Sequence, residues 1–129
     1  MILRSLITLI IALIAIDSIW LYVRSDYHST FFSSVQGGAP LRVSFVPALI
    51  VYVLLALAAL HVAIIPAKSA ASAALRGAAV GAIMYGFYDA TNLATLSSWT
   101  WEMAIIDTLW GSIACGLVSY IAYRYMSPK

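Results

Sequence analysis

The chain has 129 residues, of which 64% are hydrophobic and 9% charged, and a formal net charge of +2. With a mean hydropathy of +0.97, this composition excludes an ordinary soluble domain and indicates an integral membrane protein. The charge balance excludes a nucleic-acid surface, because the seven Lys and Arg residues stand at the ends of apolar runs, where they orient a membrane protein.

A single domain spanning residues 1–129 is expected, since apolar runs fill nearly the whole length. Ile2 to about Val23 is long enough to cross a hydrocarbon core of about 30 Å and reads as the first span. A cleaved signal peptide competes with that reading because Arg4 precedes the run. However, the run continues through Trp20-Leu21-Tyr22-Val23 without a clear small-x-small cleavage site. Ser25 to Ser44 is the one long polar connection, ending in the turn signal Gly37-Gly38-Ala39-Pro40. Within it, Tyr27, Phe31 and Phe32 would suit a short interfacial helix, and His28 is expected to be solvated.

The second span runs from Phe45 to about Ile65, with Pro47 in its first turn and Pro66 closing it. Its His61 is expected to be a satisfied lone histidine. The third, from about Ala73 to Thr95, is built of small residues, and Gly77-x-x-x-Gly81 has the spacing for close helix packing. The fourth runs from about Met103 to Tyr125, where Tyr120, Tyr123 and Tyr125 form an aromatic belt. Gly111 is a further packing candidate on this helix, and Cys115, the one cysteine, is expected in a helix interface. The expected fold class is therefore all-α, four transmembrane helices in an antiparallel bundle. An even number of spans places both termini on one side, together with Arg4, Lys68, Arg76, Arg124 and Lys129. Only Arg24 and Arg42 remain on the other, so both termini are expected in the cytoplasm.

Polar residues inside the spans carry the functional signal. Tyr85-Gly86-Phe87-Tyr88-Asp89-Ala90-Thr91-Asn92 puts a carboxylate, a carboxamide and two phenols at membrane depth, which is costly unless they face a protein interior. The first span contains Asp17-Ser18-Ile19-Trp20 and the fourth Asp107-Thr108-Leu109-Trp110, a local echo. Counted from the outer helix ends at about 1.5 Å per residue, Asp17, Asp89 and Asp107 all fall roughly 6 to 9 Å below the same interface. Asp17, Trp20 and Arg24 share one helical face, as do Tyr85, Tyr88 or Asp89, and Asn92. If these faces point inward, Asp17, Trp20, Tyr85, Tyr88, Asp89, Asn92, Asp107 and Trp110 enclose a polar pocket open to the outside, with Tyr52 and the Pro47 turn contributed by the second span. The alternative for each is ordinary: an Asp near a helix end can fix packing, and Trp20 and Trp110 can be interface anchors.

These residues also carry a resemblance. Asp17-x-x-Trp20-Leu21, Pro47-Ala48 with Tyr52, Tyr85-x-x-Tyr88-Asp89-x-Thr91-Asn92-Leu93-Ala94-Thr95 with Trp99, and Asp107-x-x-Trp110-Gly111 resemble the small bacterial membrane proteins grouped as domain of unknown function 2177. The resemblance covers nearly the whole chain and implies a four-helix membrane protein. It supports the site residues without supplying a mechanism, and nothing is carried over for His28.

Three functions are compatible with the residues. The first is an outward-facing pocket that binds or conducts a proton, a cation or a small polar ligand, since clustered carboxylates in low dielectric cannot all stay ionised. A metal, if bound, would be held by Asp17, Asp89 and Asp107. The second is a membrane enzyme acting on lipid or isoprenoid substrates through Asp residues. Two histidines are too few for a histidine-rich di-iron site, and there is no Gly-rich phosphate loop. The third is a structural or accessory subunit of a larger membrane complex. The expected surroundings are the lipid bilayer of a bacterial inner membrane, with a homo-oligomer or membrane-protein partner and no nucleic acid. The residues name no cofactor and leave open whether the protein is an enzyme.

Overall fold

The computed structural model describes residues 2–126 and shows an all-helical protein, with no strand among the described residues. Lys129, counted above for orientation, lies outside the described residues. The elements in order are α1 (Ile2–Val23), α2 (Ser25–Val35), α3 (Phe45–Ala58) continued by a π-helical segment (Ala59–Ile64), α4 (Ala70–Thr95) and α5 (Trp101–Met126). Four stretches are long and apolar enough to cross a membrane: Ile2–Val23, Phe45–Ile64, Ala70–Thr95 and Trp101–Met126.

The α1 helix is apolar nearly all round, yet it buries only Ser5, Leu9 and Leu13, a stripe at the i, i+4 spacing. Leu6, Ile10, Ala12 and Ile16 are partly buried against the core, while Ile7, Ile11 and Ile19 on the remaining face are exposed. The second span changes pitch in its last turns, where the Ile65 amide donates to the Leu60 carbonyl at 2.9 Å, an i→i+5 bond. The wider turn keeps Ala59, Leu60, Ala63 and Ile64 all buried. Arg76 Nη1 reaches back from α4 to the Val62 carbonyl at 3.4 Å. His61 is satisfied within its own helix, its Nδ1 lying 3.0 Å from the Leu57 carbonyl.

The closest helix pair is α4 with α5. A Cβ on Gly81 would collide with the backbone of Gly111, and one on Gly77 with Ser119 and the Cys115 carbonyl. Lipid tails are as apolar as leucine, so membrane helices gain by bringing backbones close through small residues, which is how these glycines act. The Ser112 hydroxyl seals the same seam by donating to the Ala78 carbonyl at 3.0 Å. Cys115 is fully buried there, in a small-residue helix interface.

Two boundaries differ from the sequence reading for local reasons. The α4 helix starts three residues before Ala73, at Ala70, because Ser69 caps it, accepting from the Ser72 amide at 3.1 Å. The second lies in the outer connection, where the short helix that Tyr27, Phe31 and Phe32 suit is present and extends over Ser25–Val35, leaving only the remainder as loop. Arg24 alone separates α1 from α2, with helix-like bonds from Arg24 N to Trp20 O at 3.0 Å and from His28 N to Arg24 O at 2.9 Å. Gly37 and Gly38, at φ of 65° and 93°, then end α2.

Candidate functional site

The polar residues of the spans form two adjoining groups, and Asp17 centres the first. Its Oδ1 accepts from Trp110 Nε1 at 2.7 Å. Its Oδ2 accepts from the Tyr52 hydroxyl at 3.0 Å and the Tyr85 hydroxyl at 3.1 Å. The donors come from α3, α4 and α5, so one carboxylate of α1 is tied to the other three spans. Such charge-assisted bonds are shorter and stronger than neutral ones. The Tyr85 ring reaches Asp17 because Gly111 leaves room for it: a Cβ at Gly111 would collide with that ring.

An aromatic layer continues from this group toward α2. Trp110 stacks on Trp20, centroids 4.5 Å apart and planes 4° from parallel. The Arg24 guanidinium lies over Trp20 at 5.1 Å and over Tyr27 at 4.4 Å, a cation held between two π faces. His28 packs edge-on against Trp20 at 6.4 Å and stacks on Phe32 at 6.3 Å. Phe31 and Phe32 in turn meet Trp99 at 5.1 and 5.8 Å, which joins α2 to the α4–α5 connection.

The second group is a pair of acids. Asp89 of α4 is only 1% exposed. Its Oδ1 accepts from Trp99 Nε1 at 3.0 Å, while its Oδ2 has no donor among the described residues. The Asp107 carboxyl lies within hydrogen-bonding reach of Asp89. A cavity of about 270 Å³ between α4 and α5 is lined by Asp89 together with Gly86, Trp101, Ala104 and Thr108. Tyr88 is half-exposed and meets Trp99 edge-on at 5.7 Å, and the Asn92 carboxamide sits beside the Tyr88 phenol. Thr91 turns back on its own helix, donating to the Phe87 carbonyl at 2.8 Å.

A family model described as "Predicted membrane protein (DUF2177)" matches residues 2–124. The chain belongs to this family. Comparison with curated proteins and with solved structures gave no match.

Within this DUF2177 protein, Asp17, Tyr85 and Trp110 meet directly, Trp20 covers Trp110, and Asp89 meets Asp107 with Tyr88 and Asn92 at the edge. The Asp-x-x-Trp echo is not reciprocal. Trp110 donates to Asp17, whereas Trp20 Nε1 is buried without a hydrogen-bond partner among the described residues and Asp107 turns to Asp89. No group of three or more His, Cys, Asp or Glu side chains is placed to hold a metal ion among the described residues, so the three acids do not form one ligand set.

His28 corrects the sequence reading. Instead of being solvated it is 6% exposed, and both ring nitrogens lack hydrogen-bond partners among the described residues. Burial, and then the positive charge of Arg24, push its pKa below the ordinary value of 6.5 and favour the neutral ring. No local pattern revealed this, because Trp20 and Phe32 close on the ring from two different helices. Tyr52, Trp99 and Arg24 also join the two groups. Tyr52 and Trp99 were visible in the family motifs, and Arg24 in the helical face shared with Asp17.

Proposed function

We propose that this membrane protein binds a proton or a small monovalent cation at the Asp89–Asp107 pair. The observation that carries the reading is the placement of two carboxyl groups within hydrogen-bonding reach in a membrane-spanning bundle, with no ion pair formed by either among the described residues. Two negative charges side by side at low dielectric are prohibitively costly, so a shared proton or a bound cation is needed to remove one of them. The unsatisfied Asp89 Oδ2 is the atom that a shared proton or a cation would occupy.

Asp17 takes a different role in this reading. Three donors already occupy its two oxygens, so it positions the four spans and holds Trp110 and Tyr85 beside the pair. That saturation also disfavours Asp17 as the acid or base of a lipid-modifying enzyme, since a catalytic group must reach the substrate. The pair lies toward the bundle end that carries Trp99, whose indole donates to Asp89. The Lys and Arg distribution supports assigning that end to the outside of a bacterial inner membrane, with the termini in the cytoplasm.

The test is proton and alkali-cation uptake by sealed vesicles reconstituted with the purified protein, combined with infrared detection of protonated carboxyl groups. Wild type is expected to show uptake or a protonated-carboxyl band that Asp89→Asn and Asp107→Asn each reduce at least tenfold. Glu102→Gln, at the exposed start of α5, should leave both signals in place. If the double variant Asp89→Asn/Asp107→Asn matched wild type in both measurements, the reading would be wrong.

A further inference from the structure

A second cavity, about 580 Å³, lies at the opposite end of the bundle between α1, the π-helical segment and α5. Its volume is within the roughly 300–1,000 Å³ range of small-molecule sites. The lining follows α1 from Ile2 to Ile16, which at about 1.5 Å per residue is roughly 21 Å, somewhat more than half of a hydrocarbon core about 30 Å thick. The groove therefore starts at the interface that carries the N-terminal end of α1, spans that leaflet and passes the middle of the membrane.

The chemistry of the walls is graded along this length. Arg4, Ser5, Thr8 and Tyr125 line the interfacial end. Leu9, Ala12, Ile16, Leu60 and Val118 line the deeper part. A charged and hydroxylated mouth leading into an apolar channel matches an amphiphile with an anionic head and a hydrocarbon tail. The mouth is accessible: Arg4 is exposed and makes no ion pair among the described residues, and the neighbouring Ile2 and Leu3 are 63% and 69% exposed. The groove exists because α1 meets the rest of the bundle through a narrow stripe, Leu9 and Leu13 above all, which leaves its first turns standing off α5 and the π-helical segment.

We infer that this groove holds one acyl chain of an anionic phospholipid from the leaflet on the side of the chain termini, with the lipid phosphate on Arg4. Arginine suits that role because its guanidinium offers a planar fork of donors to phosphate oxygens. The hydrocarbon chain runs along the partly exposed Ala12 and Ile16, over a floor of buried Leu9, Leu60 and Val118. This lipid site is separate from the Asp89–Asp107 pair and does not depend on the reading of that pair.

The experiment is native mass spectrometry of the full-length protein, stripped of lipid in detergent and then mixed with micelles containing phosphatidylglycerol or phosphatidylcholine of identical chains. Wild type should retain phosphatidylglycerol at least tenfold more than phosphatidylcholine. Arg4→Gln, an exposed change, should bring the ratio close to one. Ala12→Phe, which fills the channel, should reduce retention of both lipids. Equal retention of the two lipids by wild type, or a preference that survives Arg4→Gln, overturns the inference. It is equally overturned if the lipid-free protein is a dimer that Ala12→Phe dissociates, because the groove would then be covered by a second copy of this chain.

Discussion

At the scale of single residues, polar groups in this protein differ by how completely they are satisfied. Asp17 accepts three hydrogen bonds, from Trp110, Tyr52 and Tyr85, and is thereby a fixed point of the bundle. Asp89 accepts one, from Trp99, and faces another acid. The His28 ring makes none among the described residues, although it is buried among Trp20, Tyr27 and Phe32 beside Arg24. That last arrangement gives α2 a pH response with a definite sign. A histidine whose pKa is lower in the docked state than its ordinary 6.5 binds fewer protons when docked than when released. Docking of α2 is therefore fully favoured above about pH 6.5 and weakens as the pH falls below that value, where the released state gains a proton first. Amide hydrogen exchange of residues 25–35, corrected for intrinsic rates, should show protection falling between pH 7 and pH 5, and His28→Phe should flatten the profile. Protection that rose on acidification would contradict this account of His28.

At the scale of elements, α4 and α5 form the rigid pair, and its seam of small residues decides where the site residues point. Gly111 is the junction between packing and polar chemistry, because the Tyr85 ring occupies the space a side chain would need. Gly86, the residue next to Tyr85 in α4, has ordinary clearance: a Cβ there would lie 3.6 Å from the Thr108 methyl. Gly111→Ala is therefore expected to destabilise the protein by at least the cost of overpacking, about 1–3 kcal/mol. It should also break the Tyr85–Asp17 hydrogen bond. Gly86→Ala should be neutral or slightly stabilising through helix propensity, worth up to about 1 kcal/mol. Thermal unfolding of the two variants in one detergent compares them directly, and equal midpoints would remove Gly111 from this role.

At the scale of the whole molecule, an even number of candidate spans brings the two ends of the described chain to the same end of the bundle, and Asp17 ties the spans to one another toward the other end. The proposed orientation gives a direct test. Single cysteines introduced in a Cys115→Ser background at Gln36 and at Lys68 should react with a membrane-impermeant thiol reagent from opposite sides of the membrane. Gln36 should label in intact cells and Lys68 only after permeabilisation. The reverse pattern would invert the topology while leaving the fold unchanged.

The membrane class, the four spans and the family were legible in the sequence by itself. Hydropathy and length are local properties, and the Asp-x-x-Trp and Tyr-x-x-Tyr-Asp-x-Thr-Asn motifs are local strings. Helical spacing also placed Asp17, Trp20 and Arg24 on one face. The tertiary structure decided which polar groups share partners, since hydrogen bonds between helices depend on rotation and depth to within an ångström or so. Neither quantity is encoded in the hydropathy pattern. The pairing of Asp17 with Tyr52, Tyr85 and Trp110, of Asp89 with Trp99 and Asp107, and the burial of His28 under α2 are all of that kind. The same limit hid the groove beside α1, because an apolar side chain facing lipid and one lining a cavity have the same hydropathy. Only the packing of α1 against α5 and the π-helical segment tells them apart.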